Sequence, residues 1–131
     1  MKRIVLLFFI PFFLCSQTDI VGGEDADISD YPWQVALFES FGNWGYAFCA
    51  GSIIDNDWIL TAAHCVEGGF DGELYVRAGS DNSYAQGGSS YSVDEVIIHP
   101  DYNSNTMNND IALLKLDNSI SFNYTKQPVM L

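Results

Sequence analysis

The sequence predicts an all-β domain, a small antiparallel barrel or sandwich of six short strands. Six runs of four to nine residues are each bounded by Gly, Asn, Asp, Pro or Ser, the residues that punctuate strands. Apolar side chains within the later runs recur at every second position, the period of a strand with one wet face. No amphipathic helix of ordinary length occurs in the 131 residues. That length suits one domain, and 48% hydrophobic against 17% charged residues supplies the apolar surface for a packed core.

The first four candidate strands cover 33–39 (WQVALFE), 46–54 (YAFCAGSII), 58–61 (WILT) and 74–79 (LYVRAG). The fifth covers 91–99 (YSVDEVIIH), where the apolar positions are Tyr91 and Val93, then Val96 and Ile98. The two-residue period slips once at Asp94 and Glu95, which predicts a β-bulge there. In the sixth, 111–116 (IALLKL), Ala112, Leu114 and Leu116 point one way and Lys115 the other. The stretch 86–90 (QGGSS) is too short for a linker and is expected to be the loop between the fourth and fifth strands.

Five Lys and Arg against seventeen Asp and Glu give a net charge of −12. Such a chain repels phosphate backbones and anionic headgroups, which argues against nucleic acid as a partner. Lys2 and Arg3 precede an apolar run of eleven residues, 4–14 (IVLLFFIPFFL). A membrane span needs about 20 residues, so this run reads as the core of a secretory signal occupying 1–16, with Cys15 and Ser16 as small residues at the cleavage point. Cleavage there predicts a secreted, extracellular product with no membrane segment, a charge of −14 and two cysteines in place of three. Cys49 and Cys65 then form a natural disulfide pair in an oxidising compartment.

Five motifs occur in order: 20–23 (IVGG), 32–35 (PWQV), 49–53 (CAGSI), 58–65 (WILTAAHC) and 109–116 (NDIALLKL). Together they resemble the N-terminal half of a trypsin or chymotrypsin-like serine protease, peptidase family S1. The likeness extends over the chain after the signal and implies that 20–131 forms the first six-stranded antiparallel Greek-key barrel of that two-barrel fold. It also implies a short pro-segment at 17–19 and a mature N-terminus at Ile20. The residue before Ile20 is Asp19, where trypsin-like zymogens usually carry Lys or Arg, so self-activation is not expected.

The resemblance assigns His64 as general base and Asp110 as the carboxylate that orients it. The triad roles are those described for this family. An imidazole, with an ordinary pKa of about 6.5, is suited to take a proton from a hydroxyl and return it to a leaving amine. A carboxylate next to the apolar sixth strand is costly to bury without a hydrogen-bond partner, and the other ring nitrogen of His64 would supply one. Outside these motifs, His64 would read as a surface histidine and Asp110 as a strand-edge carboxylate. A Cys49–Cys65 bridge would tether the catalytic turn to the second strand.

His99 reads as structural. No metal site or cofactor is expected, because Cys49, His64, Cys65 and His99 contain no pair of cysteines at zinc spacing, and adjacent His64 and Cys65 should point apart on a short turn. The loop at 79–91, where some relatives bind calcium, holds Asp81 as its one acid. Asn123 opens a glycosylation sequon, Asn-Tyr-Thr.

The family's nucleophile lies in a Gly-Asp-Ser-Gly-Gly motif of the second barrel, and 1–131 contains no Gly-x-Ser-x-Gly. The expectation is therefore a truncated secreted serine endopeptidase, inactive on its own. Its partners would be protein or peptide substrates and protein protease inhibitors. The alternative is a secreted, non-catalytic binding protein built on one protease-like barrel.

Overall fold

The computed structural model describes residues 23–41, 44–82 and 87–130. The expected signal (1–16), the pro-segment (17–19), the mature N-terminus Ile20 and part of the 79–91 loop lie outside the described residues. Strands β1 (Gln34–Phe41), β2 (Trp44–Asp55), β3 (Trp58–Thr61), β4 (Glu73–Ala78), β5 (Ser89–Ile98) and β6 (Ala112–Leu116) account for the six expected runs, with ends shifted by one or two residues. They close an antiparallel barrel in the order β1-β2-β3-β6-β5-β4, with β4 returning to β1. A single turn of 3₁₀ helix, Ala63–Cys65, follows β3.

Alternation closes the core. In β6, Ala112, Leu114 and Leu116 are buried, as are Leu74, Val76 and Ala78 in β4 and Ile59 and Thr61 in β3. Val35 and Leu37 of β1 and Ile53 of β2, beside them in register, belong to the same core cluster. Lys115 lies on the other face, as expected, but is not simply solvated. Its ammonium stands 2.7 Å from the Asp57 carboxylate and 4.7 Å from the centre of the Trp58 ring.

The expected bulge in β5 is present. Val93 pairs with Leu116 and Glu95 with Lys115, so Asp94 is the extra residue. Tyr91, Val93 and Ile98 pack against the core, while Val96, expected to share their face, remains 37% exposed. Two further irregularities fall in β2, where Phe48 is skipped opposite β1 and Ile54 opposite β3. They bend this long strand so that one element serves both of its neighbours.

Close backbone approach explains one glycine. A Cβ on Gly51 would lie 2.8 Å from Ile59 Cγ2 and 2.9 Å from the Leu60 carbonyl oxygen, so β2 and β3 can pack there only with no side chain. The chain after β6 straps back over the barrel, with Gln127 N–H donating to the Pro32 carbonyl and Val129 N–H to the Ile53 carbonyl. No helix among the described residues is long and apolar enough to cross a membrane.

Candidate active site

Antiparallel pairing of β3 with β6 determines where the site lies. Thr61 at the end of β3 faces Ala112 at the start of β6, so the residues just after Thr61 and just before Ala112 share one rim of the barrel. His64 is three positions beyond Thr61 and Asp110 two before Ala112.

The turn bearing His64 is anchored from below. Thr61 is buried, and its hydroxyl donates to the Ala50 carbonyl at 2.8 Å. Ala63 is fully buried, which turns its neighbour His64 outward, and Val66 N–H donates to the Ala63 carbonyl to close the turn. The Cys49–Cys65 disulfide is formed and ties this turn to β2.

The loop before β6 is shaped to present Asp110. Asn109 adopts a left-handed backbone conformation, φ 55°, which asparagine tolerates better than most residues. Its side-chain amide donates to the Asp101 carbonyl at 2.9 Å, and Ile111 N–H reaches back to the Asn109 carbonyl at 2.8 Å. His99 holds the other end of the loop. Its backbone N–H donates to the Ile111 carbonyl, and its Nδ1 accepts from the Asp101 N–H. Its structural reading agrees with these contacts. Asn109 is not among the residues the sequence singles out, because asparagine tolerates a left-handed backbone without requiring one.

The two candidate residues meet through two hydrogen bonds. Asp110 Oδ1 accepts the backbone N–H of His64 at 2.8 Å, and Oδ2 lies 2.7 Å from His64 Nδ1. Hydrogen bonds from the His64 ring and backbone hold the Asp110 carboxyl below its ordinary pKa, outweighing the opposing effect of its partial burial. An ionised carboxylate accepts only, so the imidazole donates from Nδ1. In the neutral ring the lone pair then sits on Nε2, on a side chain that is 48% exposed. The site thus presents a basic nitrogen of fixed tautomer to whatever docks on this rim.

Contrary to expectation, His64 and Cys65 do not point apart. His64 Nε2 lies 3.5 Å from Cys65 Sγ, because Asp110 holds the ring by Nδ1 and swings its far edge over the disulfide. Asn123 is exposed in a tight turn, where its Oδ1 accepts from the N–H and hydroxyl of Thr125. Asp81 is exposed, and no group of three acids there is close enough to hold an ion among the described residues.

The trypsin family model matches residues 20–131. The chain belongs to the trypsin family of serine proteases. It is 44% identical over 115 residues to a trypsin of Phaedon cochleariae, covering 86% of this chain and 43% of that protein. Identity to hypodermin-A of Hypoderma lineatum is 40% over 124 residues, 93% of this chain and 46% of the relative. Alkaline trypsin B of Manduca sexta is 44% identical over 110 residues, 83% of this chain and 43% of the relative. The chain therefore spans somewhat less than half the length of the curated relatives it matches.

Proposed function

We propose that this chain supplies the base-bearing half of a secreted serine endopeptidase. The observation that carries the reading is the His64–Asp110 pair, two hydrogen bonds deep, on the rim of a barrel of the trypsin family. Asp110 acts as orienter and His64 as general base, while the nucleophilic serine comes from sequence outside these 131 residues. The named trypsins among its relatives support protein substrates.

In this reading His64 Nε2 takes the proton of the serine hydroxyl as the oxygen attacks a peptide carbonyl. The resulting imidazolium is stabilised by Asp110 through Nδ1–H, and Nε2–H then protonates the departing amine. A water attacks the acyl-enzyme with the same nitrogen as base, which frees the serine. The negative charge on the tetrahedral intermediate needs oxyanion donors, and these too come from outside the chain. Residues 1–131 alone are accordingly inactive towards peptides. Residues 1–16 direct secretion, and a cut after Asp19 frees the amino group of Ile20. Asn123, exposed in its turn, is available for glycosylation.

A fluorophosphonate probe, which labels serines activated by a neighbouring base, tests this on the natural secreted product containing residues 20–131. The expected label falls on a serine outside the 131 residues and is absent from the isolated chain. A folded natural product that takes no label, or a label within residues 20–131, would contradict the reading.

A further inference from the structure

Of the five Lys and Arg in the sequence, Lys2 and Arg3 belong to the expected signal, which leaves Arg77, Lys115 and Lys126. All three are half-buried, and each head stands over an aromatic ring. The Arg77 guanidinium is 4.9 Å from the centre of Phe38, the Lys115 ammonium 4.7 Å from Trp58 and the Lys126 ammonium 5.8 Å from Tyr91. Each head also donates to a neighbour: Arg77 to the Ser90 hydroxyl, Lys115 to Asp57, and Lys126 to the hydroxyls of Ser89 and Tyr91. The backbone beside these cations is held as well. Arg77 pairs with Ala36 on one side and Ser90 on the other, and Lys115 with Trp58 and Glu95. Lys126 lies outside the strands, where its N–H and carbonyl exchange hydrogen bonds with Asn123 and the next N–H, of Gln127, donates to Pro32. Its stem crosses Gly79, where a Cβ would stand 3.0 Å from Lys126 Cγ.

We infer that this barrel is closed to endopeptidases that cut after Lys or Arg, because every such bond beyond the expected signal is held through both its backbone and its cationic head. Such an enzyme needs the head free to enter an acidic pocket and the flanking backbone free to lie extended in its cleft. At Arg77 and Lys115 neither is free until a strand leaves a barrel that has no open edge. Cutting there tracks the population of the opened form, below about one chain in a thousand for a stable domain. At Lys126 a local opening suffices, and the two hydroxyls on Nζ restrain it. Exposed loop tips are where proteases nick most readily, and the exposed loop 103–108 (NSNTMN) carries no cation. Protection of this kind depends on the chain's own contacts and not on the proposed activity, and it would let the barrel persist beside basic-specific endopeptidases.

The test is digestion of the complete protein containing residues 20–131, folded and with its disulfide intact, by added trypsin. Initial rates of cutting after residues 77, 115 and 126 are followed separately by mass spectrometry. An Asn105→Arg variant supplies a reference bond in the exposed loop. Cutting after Arg77 and Lys115 in the parent should be at least about 1,000-fold slower than at the reference bond. Ser89→Ala combined with Tyr91→Phe, which keeps the ring and removes both hydroxyls, should speed cutting after Lys126 by about tenfold and leave the other two bonds unchanged. Cutting after Arg77 or Lys115 as fast as at the reference bond would overturn the inference. So would an uncut reference bond, which would show that the placement of the cations is not what protects the barrel. An unchanged rate after Lys126 in the double variant would contradict protection by the docked head, and a rise at all three bonds would contradict its being local.

Discussion

Removing the disulfide should cost this barrel about 3 kcal/mol. Cys49 and Cys65 are 16 residues apart in sequence. In the chain-entropy model, a closed loop of that size removes about 10 cal/mol/K from the unfolded ensemble, hence about 3 kcal/mol at 25 °C. Little in the folded state should offset this, because the turn remains held by the Thr61 hydroxyl on the Ala50 carbonyl and by Asp110 on the His64 backbone. The assay is urea unfolding of the Cys49→Ala, Cys65→Ala double variant against its parent, both with Cys15→Ser, followed by tryptophan fluorescence. With a slope of about 1.5 kcal/mol per M, a loss of about 3 kcal/mol lowers the midpoint by about 2 M. A loss below about 1 kcal/mol would refute the reasoning, because it would mean that the unfolded chain gains no freedom when the bridge goes.

Leu114→Ala should destabilise by about 2 to 5 kcal/mol in the same assay, since Leu114 is fully buried at the centre of the core and a cavity would remain. Gly51→Ala should cost about 1 to 3 kcal/mol, because its Cβ would meet Ile59 Cγ2 at 2.8 Å and a backbone oxygen at 2.9 Å; an unchanged midpoint would show that β2 shifts freely. Asp110 should titrate below 3.8, the ordinary aspartate value, by carbon-detected NMR. A carboxyl pKa lowered by folding stabilises the fold above the unfolded value and loses that contribution as pH falls through the folded one. The wild-type barrel should therefore lose more stability between pH 5 and pH 2 than Asp110→Asn does, and equal losses would contradict the tether.

Much of the fold was legible because the informative strands have one wet face. The slip of period at Asp94 and Glu95 located a bulge that the β5–β6 register contains. The two irregularities of β2 gave no such signal, since 46–54 is apolar or small on both faces and shows no alternation to interrupt. At the site, the motifs singled out His64 and Asp110, and antiparallel pairing of β3 with β6 brings them together. The left-handed Asn109 and the approach of His64 Nε2 to Cys65 Sγ were not legible. Both depend on where a loop of a dozen residues places one carboxylate, which spacing along the chain does not encode.

The central claim is that His64 acts as the base and Asp110 fixes its tautomer. Its most direct measurement is peptide hydrolysis by the complete protein that contains these residues, comparing wild type with Asp110→Asn. The asparagine preserves the shape but can donate to Nδ1, which would move the ring proton to Nε2 and remove the base. The expected result is a fall in kcat of about 10⁴-fold, the size described for the corresponding change in this family, with KM little altered. A folded variant retaining kcat within tenfold of wild type would contradict the account.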